Sequence, residues 1–237
     1  MSSSMLRAQN LFRQIPGEVP VTLVDDVSLD IHAGEFVCIM GPSGSGKSSL
    51  LYLLGLLDMP DQGTIWLDGV QTGNLNEEQL ARQRLQSLGY VFQFHFLLAE
   101  FTVRDNVMLP MRKLAQLSDA EMLERTQHLL EQLGMQDQAH KHPHQLSGGQ
   151  RQRAAIARAL ANEPKIILAD EPTGNLDSAS AENVREILKN LAHQMGKTVI
   201  AVTHDPQFAA AADARIGIVD GKINADWLNQ STKRLII

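Results

Sequence analysis

Short apolar runs without alternation mark three stretches of the chain: residues 35–40 (EFVCIM), 165–169 (KIILA) and 198–203 (TVIAVT). Runs of this length, rich in Val and Ile, suit strands buried on both faces of a parallel sheet. Each stands beside a helical pattern, and that succession predicts an α/β fold. Asp68-Gly69 and Asp220-Gly221 each separate two short apolar segments. Asp-Gly is a hairpin signal because both turn residues need positive φ. Antiparallel hairpins are therefore expected to flank the mainly parallel sheet.

The helices are legible from their ends. One is predicted to start at Asn76, where Gln79 completes a capping box and Leu75 and Leu80 form a hydrophobic staple. It carries Leu80, Leu85 and Leu88 and is expected to stop at Gly89. Ser118-Asp119-Ala120-Glu121 opens a second, with Met122, Leu123, Thr126, Leu129, Leu130 and Leu133 at spacings of three and four, closing at Gly134. A third holds Val184, Ile187, Leu188, Leu191 and Met195 and closes at Gly196. Residues 94–152 lack strand signals. They are expected to form a helical subdomain inserted in the α/β core, so that 1–237 is a single domain.

Composition narrows the class. The chain has 237 residues, 43% of them hydrophobic, one cysteine and a formal net charge of −6. A membrane span needs about 20 apolar residues, and the longest uninterrupted apolar run is 50–57. A membrane role is thus expected to run through a partner. The first seven residues hold no apolar leader core, and the tail 233–237 is too short to anchor a chain alone. An acidic balance argues against nucleic acid as the main partner. Cys38 has no second thiol to pair with, which fits a cytosolic address.

Gly41-Pro42-Ser43-Gly44-Ser45-Gly46-Lys47-Ser48 matches G-x-x-x-x-G-K-[ST] between a predicted strand and an apolar helix. Its glycines let backbone N–H groups turn inward into a nest for phosphate oxygens. The helix that follows adds the positive end of its dipole. Lys47 is placed to reach the β- and γ-phosphates, and the Ser48 hydroxyl to ligate Mg²⁺. At the end of the strand 165–169, Asp170 is a candidate Mg²⁺ ligand. Glu171 beside it is a candidate to orient an attacking water and take its proton. Ser147-Gly148-Gly149-Gln150, preceded by Leu146, reads as a capping box. Two glycines after the cap leave first-turn N–H groups unshielded, which makes an anion site.

The P-loop, the Asp170-Glu171 strand end and the LSGGQ string together resemble the ATP-binding cassette (ABC) ATPases over nearly the whole chain. That resemblance implies a P-loop NTPase core with an inserted helical subdomain, and ATP and Mg²⁺ as ligands. It implies that Ser49 joins the phosphate site. It makes Gln93 the Q-loop glutamine, touching Mg²⁺ or the attacking water. It makes Asn175-Leu176-Asp177 the D-loop, and His204 the switch histidine at the γ-phosphate; alone, His204 reads as a polar residue at a strand end. It further implies a head-to-tail dimer, with each ATP between the P-loop of one copy and the LSGGQ helix of the other.

The segment 91–98 (VFQFHFLL), with Asp105-Asn106-Val107 and residues 170–177, is similar to a branch of lipoprotein-releasing and macrolide-exporting ATPases. The cell-division ATPase of the same type is also similar. In that branch the ATPase sits on the cytoplasmic face of the inner membrane. It docks on a separate multi-span membrane subunit near the Q-loop and helical subdomain, and powers export or release of lipoprotein, drug or peptide. A soluble cassette ATPase acting on DNA or ribosomes is the alternative class, disfavoured by the acidic charge and the lack of heptads.

One position departs from the family pattern. An aromatic that stacks on adenine is normal before the second strand, and here that position falls near Ile15, with Phe12 the nearest aromatic. Three features carry no chemistry in this reading. The cluster His140-Lys141-His142-Pro143-His144 reads as a loop, Cys38 as a core residue, and Arg151, Arg153 and Arg158 as a solvated helix face.

Overall fold

The computed structural model describes residues 4–225. The tail 233–237, and the first three residues of the segment read for a leader, lie outside the described residues. The chain divides into two compact units, one running up to Leu80 and resuming at Leu188, the other spanning Ala81–Ile187. The fold is α/β, with parallel strands and a separate antiparallel sheet, as the sequence predicts.

The first unit holds both kinds of sheet. β1 (Ser4–Ile15) and β2 (Val21–His32) form a long hairpin, and β4 (Gln62–Leu67) and β5 (Val70–Gln71) extend it in the order β2-β1-β4-β5. β3 (Phe36–Met40) is flanked by two parallel neighbours, β8 (Thr198–Val202) and β9 (Ala214–Val219). Every residue of β3 and β8 is buried, which is why neither alternates in sequence. Short β10 (Lys222–Ile223) returns antiparallel onto β9. Both Asp-Gly pairs make the expected hairpins: Leu67 pairs with Val70 and Val219 with Lys222. Their turn residues all have positive φ, from 49° to 78°. Helix α1 (Lys47–Leu54) packs on β8 and β2. Short α7 (Pro206–Ala210) brings Phe208 edge-on to Phe36, with ring centroids 5.9 Å apart.

The long hairpin was not signalled by period-two alternation. Buried Ala8 and Leu11 are three residues apart, as are buried Val24 and Val27. The register slips between Ala8 and Leu11, where Asn10 adopts positive φ, and again between Leu11 and Arg13, where Asp26 opposite them does. These are bulges, each adding a residue to one strand, and the Asn10 amide donates to Asp26 Oδ1 at 2.8 Å.

The second unit is a parallel strand pair with helices. β6 (Leu88–Phe92) and β7 (Ile166–Asp170) run side by side, in register from Leu88–Ile166 to Phe92–Asp170. Helices α3 (Val103–Leu114), α4 (Asp119–Gln132) and α5 (Gly148–Leu160) pack against one another, and α5 also covers β6. The Ser118–Glu121 capping box forms as read, and Gly134 follows α4 with φ 62°. Leu123, however, faces outward at 45% exposure. Between Phe94 and Gln152 the described residues form helices, 3₁₀ turns and loops.

The division between units falls within α2 (Glu77–Ser87) and α6 (Ser178–His193). The Asn76–Gln79 box opens α2 with two bonds of 2.9 Å. The expected stop at Gly89 is wrong: α2 ends at Ser87, and Leu88 and Gly89 begin β6. Gly89 is a close-approach glycine instead. A Cβ there would run into the carbonyl of Ala159 on α5 and lie 2.7 Å from Ile167 Cδ1. In α6, Val184, Leu188 and Leu191 are buried, whereas Met195 lies past the helix end and is exposed.

Candidate functional site

In the first unit the P-loop is the bend between β3 and α1. Gly46, the residue before α1, has φ 97°, a left-handed conformation that glycine adopts at little cost. A side chain there would also strike the Leu23 carbonyl of β2. The loop is braced from behind: the Gly221 N–H donates to the Ser45 carbonyl at 2.9 Å, and Asp25 N–H to the Gly221 carbonyl at 2.9 Å. Gly41, Pro42, Ser43 and Gly44 complete the bend, and Ser48 and Ser49 stand in the first turn of α1. Lys47 is 8% exposed and arches back over the loop, its Nζ donating to the Pro42 carbonyl at 2.7 Å. The Lys47 ammonium thus stands over the loop at the start of α1, where a helix N-terminus favours an anion such as a phosphate.

His204 follows β8 and is exposed, next to Thr203, whose hydroxyl accepts from the Asp205 N–H at 3.0 Å. Ile15 ends β1 opposite Val21, and both side chains stand about half exposed, at 49% and 55%. The hairpin end thus presents an aliphatic pair.

In the second unit the chemistry gathers at the carboxyl ends of β6 and β7. Phe92 and Asp170 are register partners, so Gln93 and Glu171 leave adjacent strand ends. Asp170 is 9% exposed. Glu171 has φ 46°, sparsely populated for a residue with a Cβ and worth about 1–3 kcal/mol of strain. Its carbonyl accepts from the Gly174 N–H at 3.1 Å, which closes the turn that follows. Gln93 Nε2 donates to Asn175 Oδ1 at 3.0 Å. Asp170 and Gln93 offer hard oxygen donors at neighbouring positions, the ligand type that Mg²⁺ selects.

The LSGGQ string begins α5 in the same unit. Ser147 is the N-cap, its Oγ accepting from Gln150 N–H at 3.2 Å while Gln150 Oε1 accepts from Ser147 N–H at 2.9 Å. Gly148 faces Asn175 and Leu176, and Gly149 lies against Ser180. Asp177 caps α6, accepting from Ser180 N–H at 3.0 Å and Ser180 Oγ at 2.7 Å. Those bonds hold its carboxyl below the usual carboxylate range.

Of the three arginines of α5 expected to form a solvated face, Arg158 departs from it most, and all three bond within the protein. Arg151 donates to the Leu146 carbonyl at 2.8 Å, and Arg153 donates to Asn183. Arg158 donates to the carbonyls of His95 (2.6 Å) and Phe96, and burial pulls its pKa down. It holds a strained segment, since His95 and Phe96 have φ 58° and 47°. Asn106, fully buried in α3, ties down the next stretch: it accepts from Leu98 N–H and donates to the carbonyls of Leu98, Phe101 and Thr102. The anchoring role of Arg158 has no local sequence signal, because its partners lie 62 and 63 residues away. The His95 imidazole has its pKa lowered, first by burial and then by Arg151. Between these anchors, Phe94 (68%), Phe96 (61%), Leu98 and Phe101 are exposed.

A family model described as "ABC transporter" matches residues 24–174. A lipoprotein-releasing system ATP-binding protein of Chlorobium chlorochromatii is 46% identical over 95% of this chain and 93% of its own. A macrolide export ATP-binding/permease protein of Bartonella henselae is 45% identical over 98% of this chain, which spans 35% of that longer protein. Among solved structures, a dimeric ATP-binding cassette in a post-hydrolysis state with ADP and Pi superposes with a TM-score of 0.87. It is 41% identical and covers 93% of this chain and 97% of its own. By family model, sequence and fold together, this chain belongs to the ABC transporter family as an ATP-binding cassette ATPase.

Proposed function

We propose that the chain, as one cassette with a helical insert at about 94–152, is the ATP-hydrolysing subunit of a bacterial ABC transporter or mechanotransmission complex. It works as a head-to-tail dimer at the cytoplasmic face of the inner membrane, where it docks on a separate multi-span subunit and powers export or release of lipoprotein, drug or peptide. The observation that carries the membrane reading is the strip Phe94, Phe96, Leu98 and Phe101 directly after Gln93. Exposed aromatic and aliphatic side chains in one stretch mark an interaction surface. No helix among the described residues is long and apolar enough to cross a membrane. The similarity to a lipoprotein-releasing protein along almost its full length supports the branch.

In this reading residues 41–49 and Lys47 in particular bind the triphosphate. Ser48, Asp170 and Gln93 supply oxygens to Mg²⁺, which when bound would neutralise charge developing on the β- and γ-phosphates. Glu171 orients the attacking water and accepts its proton. His204 contacts the γ-phosphate. The unshielded first turn of α5, at Ser147, Gly148, Gly149 and Gln150, takes the γ-phosphate held by the other copy. Closure around ATP excludes water, and loss of the γ-phosphate reopens the pair.

The test is co-purification from membranes. The chain is expected to bring down a multi-span protein, and Phe94→Ser with Phe96→Ser to lose it while the fold is retained. A doubly substituted chain that still brings it down, or a wild-type chain that co-sediments instead with ribosomes or DNA, overturns the proposal.

A further inference from the structure

We propose that Asn175 is a positioning residue that fixes which way round the Gln93 amide faces, so that an oxygen rather than an N–H is presented to the divalent cation. The two ends of a glutamine amide are nearly identical in shape and opposite in chemistry: one accepts, the other only donates. The last torsion of Gln is broad and roughly two-fold, so an unrestrained amide presents either end. A hard cation binds only the oxygen. Asn175 Oδ1 accepts from Gln93 Nε2 at 3.0 Å across 82 residues of sequence. That bond engages the nitrogen and does not use Oε1.

A second observation points to the same contact. A Cβ on Gly174 would lie 2.8 Å from Gln93 Nε2 and 3.2 Å from Gln93 Cδ. Residue 174 is small where the Gln93 amide needs the room. The same segment also borders the start of α5. A Cβ on Gly148 would meet Leu176 Cδ2 at 3.5 Å and the Asn175 carbonyl at 3.9 Å. A movement of residues 174–176 is therefore felt by the Gln93 amide and by the first turn of α5 together.

The inference rests on the reading of Gln93 as a cation ligand, and the experiment separates the two. Mn²⁺ affinity is measured by electron paramagnetic resonance on the full chain saturated with a non-hydrolysable ATP analogue. Asn175→Leu removes the acceptor at similar volume and is expected to weaken Mn²⁺ by about two- to tenfold, the scale of one neutral hydrogen bond. Asn175→Asp keeps the acceptor and is expected to bind Mn²⁺ at least as tightly as the wild type. Gln93→Ala is expected to weaken Mn²⁺, and adding Asn175→Leu to it should change nothing further. Asn175→Ala replaces the Leu variant if thermal melts show that the latter is unfolded. If Gln93→Ala weakens Mn²⁺ and the Asn175 variants do not, this inference alone is overturned. It is overturned equally if the loss from Asn175→Leu persists undiminished without Gln93. If Gln93→Ala has no effect, the ligand role of Gln93 falls and this inference falls with it.

Discussion

Gly148 and Gly149 are neighbours in the same helical turn, and the structure assigns them opposite tolerances. An added Cβ at Gly148 meets its nearest atoms at 3.5 and 3.9 Å, ordinary van der Waals contact. At Gly149 it would lie 2.5 Å from Ser180 Oγ and 2.9 Å from Ser180 Cβ. Ser180 does not yield freely, because its Oγ and N–H both bond Asp177, the cap of α6. Overpacking of this kind costs about 1–3 kcal/mol, against a helix-propensity gain from Gly to Ala of up to about 1 kcal/mol. Gly149→Ala is therefore expected to destabilise by about 1–2 kcal/mol, while Gly148→Ala is neutral or slightly stabilising. For a chain of this size that is a fall in Tm of about 2–8 °C. Urea titration of the nucleotide-free protein reads the difference as a shift in midpoint at unchanged slope. Ser180→Gly removes both clashing atoms. In combination with Gly149→Ala it should recover about 0.5 kcal/mol or more relative to the sum of the single effects. Equal stability of the two alanine variants, or strict additivity in the cycle, would refute the steric argument.

Other expectations follow from the same geometry. Glu171→Gln should cut steady-state hydrolysis by about 100-fold or more while ATP binding persists; near-normal turnover removes Glu171 from the proton-accepting role. Ile15→Tyr supplies the missing stacking partner, worth about 1–3 kcal/mol per base, and fluorescence titration should show ATP bound several-fold more tightly; unchanged affinity argues that the hairpin end does not touch the base. Arg158→Leu leaves the His95 and Phe96 carbonyls without their donor, so amide exchange across residues 94–98 should quicken relative to wild type, and an unaltered pattern would deny Arg158 its anchoring role. Burial and Arg151 lower the His95 pKa below its ordinary 6.5. As pH falls through that value the unfolded chain takes up a proton that the folded chain resists, so stability declines with acidification. The wild type should therefore lose more stability than His95→Gln between about pH 7.5 and 5.5, and parallel profiles would contradict the assignment.

What the sequence displays depends on whether the determinant is local. The P-loop bend, both Asp-Gly hairpins and the boxes at Asn76, Ser118 and Ser147 are set by residues within a few positions of each other, and each forms as read. The three buried strands are equally legible, because full burial on both faces removes the need for polar interruption. Legibility fails where the partner is remote. Ala8–Leu11 and Val24–Val27 break period two because Asn10 and Asp26 bulge, a fact visible only once the strands are paired. Gly89 follows an apparently complete helix and suits a cap, yet its need for a hydrogen in place of a side chain comes from Ala159, 70 residues on in α5. Arg158 sits in a row of arginines that looks solvated, and only the backbone of residues 95–96 makes it internal. Gln93 is the sharpest case at the candidate site: its resemblance to a motif is local, but its amide nitrogen donates to Asn175, 82 residues on in a different loop. A motif fixes which side chain is present, whereas its chemistry is fixed by contacts that the motif does not contain.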